Sequence, residues 1–272
     1  MKQPSVVASA ARVLDLSLGE MLWSRRSVFL ALVVGGPVLL AAVIRIATTS
    51  FGPVQINGEG VGGAALFGMV IWLLYIRFII PVLGVFYGTS LIADEVDDKT
   101  ITYLFTRPIP RRAVLFGKYL AYLICTVLLI LPSVVLVYFL LTPIGASLGA
   151  SFPALVEDLA MLAIGLAAYG AVFAFVGARM KRPLVTGLVF AFGWEPAVLL
   201  FPGYLKRLTV AYYLQALVPH AMPEDSAISI LMQVFHEVPS VVVSVASLAV
   251  IIGLALWAAG RTVETREYVL EQ

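Results

Sequence analysis

Six long apolar runs constrain the fold of this chain more than any other feature. A helix that crosses a bilayer needs about 20 mainly apolar residues. Six segments meet that requirement: 27–47, 64–88, 119–141, 157–178, 184–201 and 240–259. Only 12% of the residues are charged, against about 25% in a soluble domain, which leaves too little polar surface for a water-soluble globule. The sequence therefore predicts an all-α integral membrane protein with six transmembrane helices.

The distribution of Lys and Arg predicts the orientation of these helices. Basic residues cluster before the first span, between spans two and three, between spans four and five, and after the sixth span. The alternate connections 48–63 and 142–156 contain none, and 202–239 contains only Lys206 and Arg207. Because short cytoplasmic loops carry an excess of Lys and Arg, we expect both termini in the cytoplasm and a multi-pass protein of the inner or plasma membrane.

Two segments outside the spans are expected to be helical. Residues 5–24 place apolar side chains such as Ala10, Val13 and Leu14 at helical spacing, with Arg12 and Asp15 between them, which is typical of an amphipathic interfacial helix. A polar extension of the first span is the alternative. The connection 202–239 mixes apolar stretches with prolines and tyrosines, and we expect short outer re-entrant or interfacial helices there. The whole chain, 1–272, is read as a single transmembrane domain.

The connection 89–118 is the most informative hydrophilic stretch. It opens with an acidic cluster of Asp94, Glu95, Asp97 and Asp98. A short apolar helix around Leu104 follows, then Arg107-Pro108-Ile109-Pro110, and a basic return to the membrane that ends in Gly117-Lys118. A charged projection with an apolar edge, held at the membrane face by two helices, suits docking to a soluble partner.

In this connection the sequence resembles the ABC-2 family of ABC-transporter permeases. The family pattern is matched in order by Glu95, Thr100, Leu104, Arg107, Pro108, Ile109, Arg111, Gly117 and Lys118. The departure is Lys99, where glycine commonly precedes the threonine. The resemblance implies that 89–118 contains the coupling helix that docks onto an ATPase subunit. The coupling residues would be Glu95, Asp97, Asp98, Thr100, Leu104, Arg107, Pro108 and Arg111.

The resemblance also implies partners and a cofactor that this chain does not itself bind. A phosphate-binding loop needs G-x-x-x-x-G-K-[ST], and Gly117-Lys118-Tyr119 lacks the first glycine and the hydroxyl. The chain is therefore not expected to be an enzyme, and ATP and Mg are expected on a separate ABC ATPase. A second permease copy or close paralogue is expected, and the pair Gly84 and Gly88 on span two would allow helices to approach closely.

Two ionisable residues lie deep in predicted spans, Arg77 in the second and Glu195 in the fifth. A charge at the bilayer centre costs roughly 2.5–3.5 kcal/mol on insertion scales. Because the two residues lie at matching depth, we expect them to form a buried ion pair or to face one cavity. The alternative is that Trp194-Glu195-Pro196 marks a helix break closer to the outer surface.

The favoured interpretation is the permease of an ATP-driven exporter in contact with membrane lipids. A membrane scaffold or anchor for a motility or secretion machine is the alternative. A lipid-modifying enzyme is less favoured, because no histidine joins the acidic cluster as a base. The net charge of +2 and the absence of a basic block argue against nucleic acid, and the widely separated His220 and His236 argue against a metal site.

Overall fold

The computed structural model describes residues 6–22, 25–52, 55–56, 59–97, 110–143, 148–200, 204–218 and 239–265. Within these ranges we number eight helices. They are α1 (Val6–Leu22), α2 (Arg25–Phe51), α3 (63–97), α4 (Arg111–Leu141), α5 (Leu148–Arg179), α6 (183–200), α7 (Val210–Gln215) and α8 (Val241–Thr265). A 3-10 turn, Tyr204–Leu208, precedes α7, and a two-residue antiparallel pair, β1 (Gln55–Ile56) and β2 (Glu59–Gly60), lies between α2 and α3.

Five of the described helices are long and apolar enough to cross a membrane. These spans are Val28–Phe51, Gly63–Glu95, Arg111–Leu141, Ser151–Arg179 and Val241–Thr265. They confirm the first four predicted spans and the sixth. The fifth predicted span, 184–201, falls on α6, whose apolar part Pro183–Val198 is shorter. The all-helical membrane fold is therefore confirmed, and the count of six spans stays a prediction.

Helices α3 and α6 change winding near prolines. In α3 the segments Ile71–Ile79 and Gly84–Gly88 are π-helical, and in α6 the segment Val189–Trp194 is π-helical. Two of these segments end two residues before a proline, Pro81 and Pro196. Proline has no N–H to donate and its ring crowds the carbonyl four residues back, so a wider turn there relieves the clash. Single π turns inside helices often mark functional sites.

Helices α3 and α5 approach closely through glycines. A Cβ at Gly177 of α5 would lie 2.3 Å from the backbone oxygen of Thr89, and a Cβ at Gly88 of α3 would lie 2.9 Å from the Cβ of Phe173. A Cβ at Gly84 would lie 2.8 Å from the Cβ of Tyr169. The spacing of Gly84 and Gly88 thus serves close packing, as predicted, and the helix that they pack against is α5 of the same chain.

The N-terminal helix α1 covers Val6–Leu22. Residues 23–24, which connect it to α2, lie outside the described residues. Ala10 and Val13 of α1 are buried against the first turns of α4, where a Cβ at Gly117 would lie 2.7 Å from the backbone oxygen of Ala10. Arg12 and Asp15 lie on the exposed side of α1 together with the apolar Leu16, so the amphipathic interfacial helix stays a prediction.

Candidate functional sites: a charged face and an intramembrane polar cluster

The charged ends of several helices gather on one face of the bundle. Thr89 of α3 meets Gly177 of α5, and Arg112 of α4 passes within 3.6 Å of the Cβ position of Gly260 in α8. The ring of Phe29 in α2 lies 5.0 Å from that of Phe86 in α3. We call this end of the bundle the charged face. Its described ionisable residues include Asp94, Glu95, Arg111, Arg112, Lys118, Arg179, Lys181, Arg182, Arg261 and Glu264.

An ion pair on the charged face joins α3 to α4. The Lys118 ammonium donates to the Glu95 carboxylate, and both side chains are largely buried. Partial burial lowers the effective dielectric around the pair and strengthens its attraction. Glu95 lies near the end of α3 and Lys118 in the second turn of α4, so the pair ties together the helices on either side of residues 98–109.

A second ion pair joins α4 to α8. Arg112 Nε lies 2.5 Å from Glu264 Oε1, and Arg111 reaches the Glu264 carbonyl oxygen at 3.5 Å. The Arg112–Glu264 pair is more exposed than the Glu95–Lys118 pair, and an exposed pair contributes only about 0–1 kcal/mol. Its effect is to hold the start of α4 beside the end of α8.

Only part of the predicted coupling segment lies in the described residues. Glu95 and Arg111 are placed on the charged face, and the backbone of Asp97 is the last described part of α3. Asp98, Thr100, Leu104, Arg107 and Pro108 lie outside the described residues. Glu95 bonds to Lys118 within the chain, and its predicted part in coupling stays a prediction.

The Glu195 carboxylate is the centre of a polar cluster inside the apolar bundle. Glu195 is 2% exposed, and it accepts hydrogen bonds from the Tyr169 hydroxyl of α5 and from the Val210 amide at 3.0 Å. The Val210 amide belongs to the first turn of α7, where backbone donors have no partner within the helix. Glu195 therefore fastens α7 to α5 and α6.

Arg77 lies close to this cluster but is held differently. Its guanidinium stacks over the Trp72 ring at 4.9 Å from the centroid, and its Nε is buried with no hydrogen-bond partner among the described residues. Arg77 attracts Glu195 electrostatically, yet within the described part of the chain no ion pair joins the two side chains. The two charges thus face one region without the direct contact that we considered from the sequence.

The helix break considered at Trp194-Glu195-Pro196 is absent. The backbone of Glu195 is helical, and α6 continues from the π turn into Glu195–Leu200. A widened turn, and not a break, accommodates Pro196. The burial of Glu195 therefore comes from packing within the protein.

Sequence reasoning missed the partners of these groups. Tyr169 stands alone among Ala, Gly and Leu in its span, and a buried tyrosine hydroxyl usually needs a hydrogen-bond partner, so it could have been paired with Glu195. Trp72 lies five residues before Arg77, one π turn away, a spacing that an α-helical reading of span two does not bring together. Glu264 carries no pattern that predicts its contact with Arg112.

Long apolar helices with buried polar contacts and charged residues at their ends define a multi-pass helical membrane protein. Within that class, residues 18–194 match the family model described as ABC-2 family transporter protein, and the chain belongs to this family. The match contains the charged ends of α3 and α4 and stops just before Glu195. A search of curated proteins gives no significant match. The chain is accordingly a membrane permease of the ABC-transporter type.

Proposed function

We propose that this chain is the permease subunit of an ATP-driven exporter and that its charged face receives a separate ABC ATPase. The ATPase binds ATP and Mg, and the permease supplies the translocation path from six spans, α6 included. The charged face is then cytoplasmic, with both termini on that side. The observation that carries the proposal is the Glu95–Lys118 pair, which fastens together the two helices that flank the family's coupling segment.

This arrangement offers a way to transmit a push from the ATPase. Residues 98–109 connect α3 to α4, and the Glu95–Lys118 pair joins those helices at the membrane face. Helix α4 is in turn fixed to α8 through Arg112. At Gly177 the backbone of α5 lies directly against the backbone of α3, with no side chain between them. A displacement of the segment would therefore move α3, α4 and their neighbours together.

In this proposal the family's coupling residues have two different tasks. Glu95 pairs with Lys118 and so fixes the two helices that flank residues 98–109. The residues that contact the ATPase are then Asp97, Asp98, Thr100, Leu104, Arg107, Pro108 and Arg111.

A second copy of the chain, or a close paralogue, completes the proposed path. In α2 and α8 only 22% and 11% of the most apolar residues are buried within the chain. Large apolar helix faces of this kind are covered in a membrane either by lipid or by another subunit. The proposed assembly is two permease copies with two ATPases.

The first experiment tests docking. The affinity-tagged full-length chain is purified from its native host in mild detergent, and co-purified ABC ATPase is identified by mass spectrometry. Arg107→Glu should reduce the recovered ATPase at least about tenfold, because it places a wrong charge in a docking surface. Arg207→Glu is the matched control, because it reverses an exposed charge that lies outside the charged face and should leave recovery unchanged. Recovery of no ATPase by the wild type, or equal recovery by Arg107→Glu, would contradict the proposal.

The second experiment distinguishes a role of Glu95 in fixing α3 to α4 from a role in contacting the ATPase. Glu95→Lys and Lys118→Glu each place like charges together and should lower ATPase activity that depends on the permease. The double exchange restores an opposite pair and should recover most of that activity. If the double exchange is as defective as the worse single variant, Glu95 does not act through Lys118.

A further inference from the structure

A groove opens on the charged face between three helices. Its volume is about 660 Å³. One wall is α2 with Phe29, a second is the end of α3 from Phe86 to Asp94, and the third is the turn and first residues of α6 from Lys181 to Val185. These elements come from three separate parts of the sequence, so the groove is a product of the tertiary fold.

The groove lies where membrane helices reach the membrane surface. The first span begins at Val28, one residue before Phe29. The second span ends at Glu95, one residue after Asp94, and the apolar helix α6 begins at Pro183. The groove is therefore bordered by apolar span ends on its membrane side and by the charged turn on its water side. This is the depth at which phospholipid headgroups lie.

The rim of the groove is cationic. Lys181 and Arg182 lie side by side in the turn between α5 and α6, and both are exposed. Within the described residues neither of them forms an ion pair. Among the described residues that line the groove, Asp94 is the one acid against the two cations. Their side chains are available for an anion at the mouth.

The walls of the groove are apolar and continue along the membrane. Phe29 and Phe86 form an aromatic pair on one side. On the other side Val185 is 56% exposed, and the exposed apolar surface extends up α6 through Val189, 64% exposed, to Phe192. The ring of Phe192 contacts that of Phe78 in α3 at 6.2 Å. A free inorganic anion would leave this surface unused, whereas an acyl chain would cover it.

We propose that this groove binds an anionic phospholipid of the adjoining leaflet, with the headgroup between Lys181 and Arg182 and an acyl chain along Val185 and Val189. Cationic side chains attract anionic lipids at the membrane surface, and the apolar walls offer contact area to an acyl chain. A zwitterionic lipid has the acyl chain without the net negative charge, and a soluble anion has the charge without the acyl chain. The site does not depend on the proposed exporter function, because it requires no ATPase and no transported cargo.

The test measures lipid preference at one position of the groove. A fluorophore is attached at Val185→Cys in a Cys125→Ser chain, which is reconstituted in phosphatidylcholine nanodiscs. Quenching by brominated phosphatidylglycerol is compared with quenching by brominated phosphatidylcholine. We expect the anionic lipid to be preferred at least about fivefold, and we expect no preference at a second reporter, Leu254→Cys, on the exposed side of α8.

Charge variants then assign the preference to the rim. Lys181→Gln combined with Arg182→Gln should bring the preference at Val185→Cys close to one. Arg12→Gln combined with Arg261→Gln removes the same charge from exposed positions outside the groove and should leave the preference intact. Equal quenching by both lipids in the parent chain would overturn the proposal. Loss of the preference on adding millimolar inorganic phosphate would also overturn it, since the groove would then be a site for soluble anions.

Discussion

Replacement of Glu195 by leucine should destabilise the bundle far more than removal of its tyrosine partner. The carboxylate accepts hydrogen bonds from Tyr169 and from the backbone amide of Val210, and all three groups are buried. Glu195→Leu removes both acceptor oxygens at once. It therefore leaves a hydroxyl and an amide unsatisfied in an apolar interior.

The expected loss in the free energy of unfolding differs between Glu195→Leu and Tyr169→Phe. Each buried donor left without a partner costs about 1–3 kcal/mol, so Glu195→Leu should lower the free energy of unfolding by about 2–6 kcal/mol. Tyr169→Phe removes one donor and leaves the carboxylate its amide partner, Val210. Hydrogen bonds between membrane helices average about 0.6 kcal/mol and reach about 1.7, so Tyr169→Phe should stay within that range. In the Glu195→Leu chain the same tyrosine change should cost nothing or restore stability, because it deletes an orphaned hydroxyl.

The assay is reversible unfolding in mixed detergent micelles, followed by tryptophan fluorescence. Tyr122→Phe is the matched control, because the Tyr122 hydroxyl donates to the Leu166 carbonyl at 3.1 Å and is not a partner of Glu195. Its effect should add to that of Glu195→Leu within about 0.5 kcal/mol. If Tyr169→Phe is equally additive with Glu195→Leu, the two side chains do not share an interaction and the reasoning fails.

Two further predictions concern packing and orientation. Gly177→Ala should destabilise the chain by about 1–3 kcal/mol through overpacking, because the new Cβ meets the Thr89 backbone oxygen at 2.3 Å. Gly253→Ala, where nothing lies within 4 Å, should be neutral or stabilising in the same unfolding assay, and similar losses in both would refute the close-contact argument. For orientation, a cysteine at Ser226 in a cysteine-free chain should react with an impermeant thiol reagent in intact cells, whereas one at Thr106 should not. Labelling at Thr106 would reverse the assignment.

The long helices were predictable because their signal is local. A run of about twenty apolar residues indicates a membrane span whatever its place in the chain, so α2, α4 and α8 could be located from local composition alone. The ends were less predictable. Helix α4 begins at Arg111, well before the predicted 119, because the backbone hydrogen bonds of a helix continue past the point where side chains become polar. The π turns of α3 and α6 leave no mark in hydropathy, although Pro81 and Pro196 show where to look.

The candidate sites were harder to predict because their contacts join distant residues. Arg77 and Glu195 were singled out because a charged side chain is unfavourable inside a membrane. That argument located the region of the polar cluster. It could not identify Tyr169 and the first turn of α7 as the partners of the carboxylate, since chain topology sets those neighbours. The groove was missed for the same reason. Lys181 and Arg182 served only as topology signals until the fold placed them beside Phe29.

The motif by which this chain resembles its family therefore contains two kinds of residue: those that pack or pair within the chain, and those that we propose to contact a partner. Gly117 is required because helix α1 packs on it, and Glu95 and Lys118 bind each other. Such residues keep α1, α3 and α4 in register whatever docks against them. In the proposed function a docking surface must instead keep its charges available to the ATPase, so we place specificity toward one ATPase in the segment 98–109. The proposal then gives the Glu95–Lys118 and Arg112–Glu264 pairs the task of positioning that segment, and gives the segment the task of recognition.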